Sequence, residues 1–332
     1  MPGDQSTRHR ARRAARRGGV STGRQGRDGA MARLLDQSGG LVAIGAHDAL
    51  SARLGQNAGF DLIWGSGFEV SATHGVPDAN VLTMSEQLRA CQWMADTVRI
   101  PVIADCDNGY GNAINAAVTT RRFEAAGIAG ICVEDSAFPK RCSFYEGRRA
   151  LVPAAEHALK IRACKQAQRS DDFVVIARTE AFIAGLGLDE ALERARAYAE
   201  AGADAVLVHS KQAAPDELVA FAQRWSLPTP LVAVPTTYDQ TSAAVLHDLG
   251  YRVVIFANQG LRTAIKAVEE GLALLRGTGR AADLRDRMVP LGRVFELVGL
   301  DDLRQDEHRY LLAEDGAPGG GDLQGLPAEA PG

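Results

Sequence analysis

The chain has no run of about 20 apolar residues, so no membrane-spanning helix is expected. It has no apolar segment of the secretory-signal kind near its start. Cysteine is scarce: five occur, at 91, 106, 132, 142 and 164, an odd number with no C-x-x-C pair. That usage fits reduced thiols in a cytoplasmic protein and argues against a disulfide framework. No G-x-G-x-x-G follows the first strand-like run, which counts against a dinucleotide-binding sheet. Positive charge is missing from the body of the chain. The net charge is −4 overall and +6 within residues 1–30, which leaves −10 for residues 31–332. An acidic body disfavours nucleic acid as the main partner. Residues 1–30 read as a disordered basic segment, or as preceding a true start at Met31, and residues 313–332 as a disordered Gly/Pro-rich tail.

What is present is enough apolar material, 46% of 332 residues, for one large domain over residues 31–312. Eight short, almost continuously apolar runs recur at 41–45, 60–64, 101–105, 129–134, 173–178, 204–209, 230–235 and 252–257. Continuous rather than alternating runs suit parallel strands covered on both faces. Helical patterns fill the gaps. Thr83-Met-Ser-Glu86 is a capping box opening a helix to about Ala95, and 188–201 is rich in helix formers with its acids early. Gly59, Gly127, Gly202 and Gly250 each end a helix shortly before a strand. The pattern predicts a (β/α)₈ barrel, with a doubly wound open sheet as the alternative. Residues 282–312 add helical structure with Leu291, Val294, Phe295, Leu297 and Val298 as apolar positions, suited to docking on a neighbouring subunit or on the chain's own barrel.

In a barrel, reactive groups lie at the C-terminal ends of the strands. Here those ends carry Trp64-Gly-Ser-Gly-Phe68, Asp105 with Asp107, Glu134-Asp135, Arg178-Thr-Glu180, His209-Ser-Lys211, Thr236-Thr237 and Asn258. Ionisable or hydroxyl groups at strand after strand point to an enzyme. Asp105 and Asp107 stand two apart, so strand alternation would aim both carboxylates one way and Cys106 the other. Two close carboxylates call for a cation between them; the other reading is one helix cap and one solvated side chain. With Glu134 they form an oxygen-only set for Mg²⁺ or Mn²⁺, partly through waters. Arg178 offers a fork for a carboxylate or phosphate, or else a salt bridge to Glu180 or Glu134 within the rim. His209 reads as a donor to a substrate oxygen or as a hydrogen-bonded core histidine. Ser66 and the amides of Gly65, Gly67 and Phe68 form a possible oxyanion cradle or a plain turn.

The segment from Ser136 to Arg148 is long, polar and basic, and reads as a lid over an anionic substrate or as a surface loop. Cys142 stands beside Lys140, Arg141 and Arg148, a setting that lowers a thiol pKa and favours acid/base or nucleophilic work.

From about Leu41 to Tyr310 the chain resembles the phosphoenolpyruvate mutase/isocitrate lyase superfamily. Trp64-Gly-Ser-Gly67, Ala177-Arg-Thr-Glu-Ala-Phe-Ile-Ala-Gly185, Val208-His-Ser-Lys211, Val234-Pro-Thr-Thr-Tyr238 and Phe256-Ala-Asn258 are similar to its phosphonate branch, the mutases and phosphonopyruvate hydrolases. The resemblance implies a (β/α)₈ barrel that exchanges its last helix between subunits of a homodimer or homotetramer, with Mg²⁺ at the site. It implies metal-binding positions at Asp105, Asp107 and Glu134, and substrate contacts at Trp64, Ser66, Phe68, Arg178 and His209. Asp78 falls on an essential Asp, as nucleophile or phosphoryl positioner, and Lys140 on the lid lysine. The expected reaction interconverts phosphoenolpyruvate and 3-phosphonopyruvate, as in phosphonate biosynthesis; a hydrolase giving pyruvate and phosphate is the alternative. The lid departs from the mutase pattern. Ser136 stands for Lys and Cys142 for Asn, and Asn108 stands where Thr is usual. Lys140-Arg-Cys142 instead matches the carbon–carbon lyases, for which Cys142 would be the general acid.

Overall fold

A computed structural model of the protein describes residues 30–37, 39–143 and 149–311. The basic head, the Gly/Pro-rich tail and Arg148 lie outside the described residues. These residues divide into two units, with the boundary between Leu261 and Arg262.

The first unit is a closed barrel of eight parallel strands in sequence order. They are β1 (Leu41–Ala46), β2 (Leu62–Gly65), β3 (Val102–Asp105), β4 (Gly130–Glu134), β5 (Val174–Thr179), β6 (Ala205–Val208), β7 (Leu231–Ala233) and β8 (Tyr251–Phe256). Each apolar run in the sequence yields one of these strands, with ends shifted by at most two residues. Closure comes from β1 pairing with β8, Leu41 opposite Val253. The open sheet is excluded.

Alternate strand residues fill the barrel's interior, among them Leu41, Leu62, Ile103, Ile176, Leu207, Val232 and Val253. Met31 and Leu35 of α1 (Ala30–Asp36) join that cluster. The remaining strand residues face the surrounding helices, as Val133 does beside Phe123 and Ile161. Each buried aliphatic side chain contributes about 1.5–3 kcal/mol. The helices are α2 (Ala49–Asn57), α3 (Gly67–Thr73), α4 (Met84–Thr97), α5 (Ala113–Ala125), α6 (Ala154–Ala167), α7 (Gly187–Glu200), α8 (Asp216–Arg224) and α9 (Ala243–Asp248). α4 opens as expected, with the Glu86 carboxylate accepting from Thr83 N–H at 2.7 Å. The four punctuating glycines all take positive φ, between 83° at Gly127 and 103° at Gly202, a conformation that favours residues without a Cβ.

α10 (Gln259–Thr278) runs from the first unit into the second. The second unit continues with a 3₁₀ turn (Ala281–Arg287), α11 (Leu291–Val298) and α12 (Leu300–Tyr310). Of its expected apolar positions Leu297 is buried, while Leu291, Val294, Phe295 and Val298 are exposed. No helix among the described residues is long and apolar enough to cross a membrane.

Candidate active site

One pocket at the C-terminal mouth of the barrel is lined by Trp64, Ser66, Phe68, Asp78, Asp105, Lys140, Cys142, Arg178 and His209, together with Ser143, Val234, Thr236, Ala257 and Asn258. The first nine, all sequence-selected, converge from four strand ends, those of β2, β3, β5 and β6, with the α3–α4 loop and the 136–143 segment. A cleft at the opposite end, beside Arg99, Glu124 and Asp172, carries none of them.

Asp105 ends β3, but Asp107 is not in the strand. Its φ of 51° turns the chain into the left-handed region. Strand alternation therefore does not bring the two carboxylates together; a tight turn does. Asp107 N–H donates to Asp105 Oδ1 at 3.2 Å. Both carboxylates face Gly67, where a Cβ would come 3.3 Å from Asp107 Oδ1 and 3.5 Å from Asp105 Oδ2. Gly67 leaves the room that these oxygens use. Cys106 points away as expected, into the outer core with Ala116 and Val133. All five cysteines are free thiols.

Glu134 behaves differently. Its Oε1 accepts from Ser136 Oγ at 2.5 Å, and its carboxylate lies 3.5 Å from both Arg149 and Arg178. Among the described residues no three acidic, imidazole or thiol side chains converge on one point where they would hold a metal. The expected triad is thus a close pair, Asp105 and Asp107, with Glu134 drawn aside by Ser136 and two arginines.

Lys140 is buried rather than displayed on a loop. Its Nζ pairs with Asp78 Oδ1 at 2.9 Å and with Asp107 Oδ1. Burial alone would lower its pKa, but Asp107 and Asp78 raise it well above the ordinary value, so it stays an ammonium. Burial also raises the Asp105 carboxyl, against the pull of Lys140 and Arg178. Besides Asp135, which pairs with Arg194, the site holds five carboxylates, of Asp78, Asp105, Asp107, Glu134 and Glu180, against three fixed cations, Lys140, Arg149 and Arg178. The excess is two negative charges, among oxygen donors, which fits one divalent cation.

Arg178 realises both of its readings. Its Nε donates to Glu180 Oε1 at 2.6 Å, and it lines the pocket. Glu180 also meets Arg149 at 2.7 Å, Ser143 Oγ at 3.0 Å and His209 Nδ1 at 2.8 Å. Burial alone would raise the Glu180 carboxyl; Arg178 and His209 hold it well below the usual range. The same Nδ1 lies 2.9 Å from Arg178 Nη2, so it donates to Glu180 in one tautomer and accepts from the guanidinium in the other. Burial lowers the pKa of His209, which favours the neutral ring.

Sequence reasoning missed three parts of the site. Asn80, in the α3–α4 loop, donates from Nδ2 to Asp107 Oδ2 at 2.7 Å and accepts the Lys140 backbone N–H at 2.6 Å. Arg149 enters behind the 136–143 segment and also donates to the Arg141 carbonyl. Asp135, read only as a rim acid, is fully buried and holds Glu180 N–H at 2.9 Å and Thr179 Oγ1 at 3.1 Å. Tyr198 OH at 2.7 Å and Arg194 at 3.3 Å fix Asp135 from α7. Two cues were available: Asn80 follows Asp78 by two residues, and Glu134-Asp135 is a doubled acid at a strand end.

A closed (β/α)₈ barrel with buried, counter-charged side chains gathered at the C-terminal mouth of its strands has the layout of a barrel enzyme. The family model described as phosphoenolpyruvate phosphomutase matches residues 31–276, and the chain belongs to that family within the phosphoenolpyruvate mutase/isocitrate lyase superfamily. The phosphonopyruvate hydrolase of Variovorax sp. (strain Pal2) is 46% identical over 279 residues, which span 83% of this chain and 96% of that one. The crystal structure of phosphoenolpyruvate phosphomutase from Streptomyces platensis subsp. rosaceus superposes with a TM-score of 0.83 at 50% identity, covering 84% of this chain and 97% of that one. A phosphonopyruvate hydrolase solved with oxalate and Mg²⁺ superposes at 0.82 and 44%, covering 86% and 99%.

Proposed function

We propose that the protein is a Mg²⁺-dependent phosphoenolpyruvate phosphonomutase, interconverting phosphoenolpyruvate and 3-phosphonopyruvate. The observation that carries this reading is that Lys140, Cys142 and Ser143 line the same pocket as Trp64, Ser66, Asp105, Arg178 and His209. A phosphoryl group can migrate only where water is kept from it, and these three side chains occupy part of the pocket wall. Both kinds of relative, mutase and hydrolase, support a C–P substrate.

Asp105 and Asp107 would hold the cation, with Glu134 acting through water; Mn²⁺ suits the same donors. When bound, the ion would stabilise the enolate oxygen and carboxylate of the pyruvyl part. The chain's own residues do the rest. In the forward direction the O–P bond breaks, a C–P bond forms at C3, and the enol oxygen becomes a ketone, with no atom gained or lost. Such transfer passes through a loose transition state, so positioning and charge supply most of the catalysis. Arg178, held in plane by Glu180, orients the substrate carboxylate. Lys140 and Ser66 steady the phosphoryl oxygens, and Asp78 sets Lys140. Neutral His209 donates to a substrate oxygen in the tautomer that carries the proton on Nε2, with Nδ1 accepting from Arg178.

A second reading, phosphonopyruvate hydrolase, is favoured by Cys142, which stands where the mutases carry a larger polar Asn and leaves space for water. Phosphorus NMR of the protein with Mg²⁺ and phosphonopyruvate separates the readings. A phosphate-ester signal is expected. Inorganic phosphate would assign the hydrolase, and an unchanged spectrum would leave the carbon–carbon lyase reading with Cys142 as acid.

A further inference from the structure

Asn80 lies outside the sequence-selected set, yet it touches two parts of the site at once. Its side-chain amide donates to Asp107 Oδ2 at 2.7 Å. Its carbonyl oxygen accepts the backbone N–H of Lys140 at 2.6 Å and the Asn108 amide at 3.4 Å. It thereby joins the loop bearing Asp78, the turn bearing Asp107 and the segment bearing Lys140, which is 60 residues away in sequence. Asn80 also has φ of 55°, one of three non-glycine residues with positive φ among the described residues. The other two, Asp107 and Tyr110, flank the same turn. Asn tolerates this left-handed conformation better than most residues, and such strain persists where the surroundings hold it.

The geometry assigns Asn80 as a positioning residue: its amide fixes the Lys140 ammonium against Asp107 and Asp78. The Lys140 side chain has several rotatable bonds, so its Nζ is placed only if its backbone is placed first. No other backbone hydrogen bond is described for the Lys140 N–H, so Asn80 Oδ1 sets where that side chain begins. The same amide saturates one oxygen of Asp107 and leaves the other for Lys140. This rests on the phosphoryl-transfer reading above, in which Lys140 steadies the migrating group.

Two substitutions take the two hydrogen bonds apart. Asn80→Gly removes both and suits the positive φ, so a fall in activity cannot be blamed on backbone strain. Asn80→Asp keeps an acceptor for Lys140 N–H but loses the donor to Asp107 and adds a like charge. The readouts are hydrogen–deuterium exchange of the peptide containing Lys140, followed by mass spectrometry on the full chain, and steady-state turnover of phosphonopyruvate with Mg²⁺. In Asn80→Gly, exchange at Lys140 should rise about tenfold and kcat should fall about tenfold or more. In Asn80→Asp, exchange should stay within about threefold of wild type while kcat falls as far. Wild-type exchange in Asn80→Gly, or kcat within about threefold of wild type in both variants, overturns the assignment. So does equal exchange in the two variants, which would make Asn80 a fold element only. If the wild-type protein leaves phosphonopyruvate untouched, the reaction assigned above fails, and the exchange of the two variants alone decides the role of Asn80.

Discussion

His157 gives a prediction whose size follows from its surroundings. It sits on α6, fully buried, edge-on to Tyr198 with ring centroids 4.5 Å apart and planes at 71°. Neither ring nitrogen makes a well-formed hydrogen bond among the described residues. Burial, with the nearby charge of Lys160, lowers its pKa from 6.5 to about 3, against a weaker pull from the Val133 backbone. The folded pKa therefore lies below the unfolded one. Between these two values the unfolded chain takes up a proton that the folded chain refuses, so stability present above pH 6.5 is lost as pH falls toward 3. At pH 5 the loss from this residue is about 2 kcal/mol, from roughly 1.4 kcal/mol per pH unit. His157→Phe keeps an aromatic ring against Tyr198 and removes the titration. Its stability relative to wild type at pH 7.5 sets a baseline, because relief of an unpaired polar ring and the extra volume of Phe oppose each other. On going to pH 5 the variant should gain about 2 kcal/mol on the wild type, or roughly 4 °C in Tm, since all other titrating groups are shared. Circular dichroism melts at pH 7.5, 6.5 and 5 measure this. Parallel pH profiles for the two proteins would show that His157 either titrates normally in the fold or finds a partner there, and would refute the reasoning.

Two further expectations concern the mouth of the barrel. Asp105→Ala should weaken Mg²⁺ binding by about 100-fold or more in calorimetric titration and abolish metal-dependent turnover, whichever reaction is catalysed; an unimpaired variant would remove Asp105 from the metal site. Wherever the wild type releases inorganic phosphate, Cys142→Asn should shift the phosphorus NMR products toward phosphate ester; unchanged rate and product ratio would mean that this side chain does not control water access.

The barrel was legible because its strands are covered on both faces, so buried runs such as 173–178 stand out from any amphipathic pattern, and because Gly59, Gly127, Gly202 and Gly250 mark the chain's return into β2, β4, β6 and β8. The site was legible by position along the chain and less so by contact. Asp105 and Asp107 meet, but through a left-handed turn at Asp107 that no alternation rule foresees. Glu134 lies at the right strand end and still turns aside, because the partners that hold it, Ser136, Arg149 and Arg178, come together only in the folded chain. Asn80 reads as an ordinary loop residue until Lys140 arrives from 60 positions away.

Like charge two residues apart does say that a cation must be near; it does not say which cation. In the folded chain Lys140 takes part of that place, pairing with Asp78 and Asp107, yet burial still raises the carboxyls of Asp105 and Asp107, which take up protons unless more positive charge is supplied. A single ammonium therefore does not complete the site. On the phosphoryl-transfer reading the same deficit would give Lys140 its use: a lysine held by two aspartates, beside carboxylates that a divalent ion would neutralise, would be fixed in place to meet an incoming phosphoryl group rather than free to follow it. Removing the ion should thus loosen substrate binding without unfolding the barrel, whose core of Ile103, Ile176, Leu207 and Val253 owes nothing to the charges at its mouth.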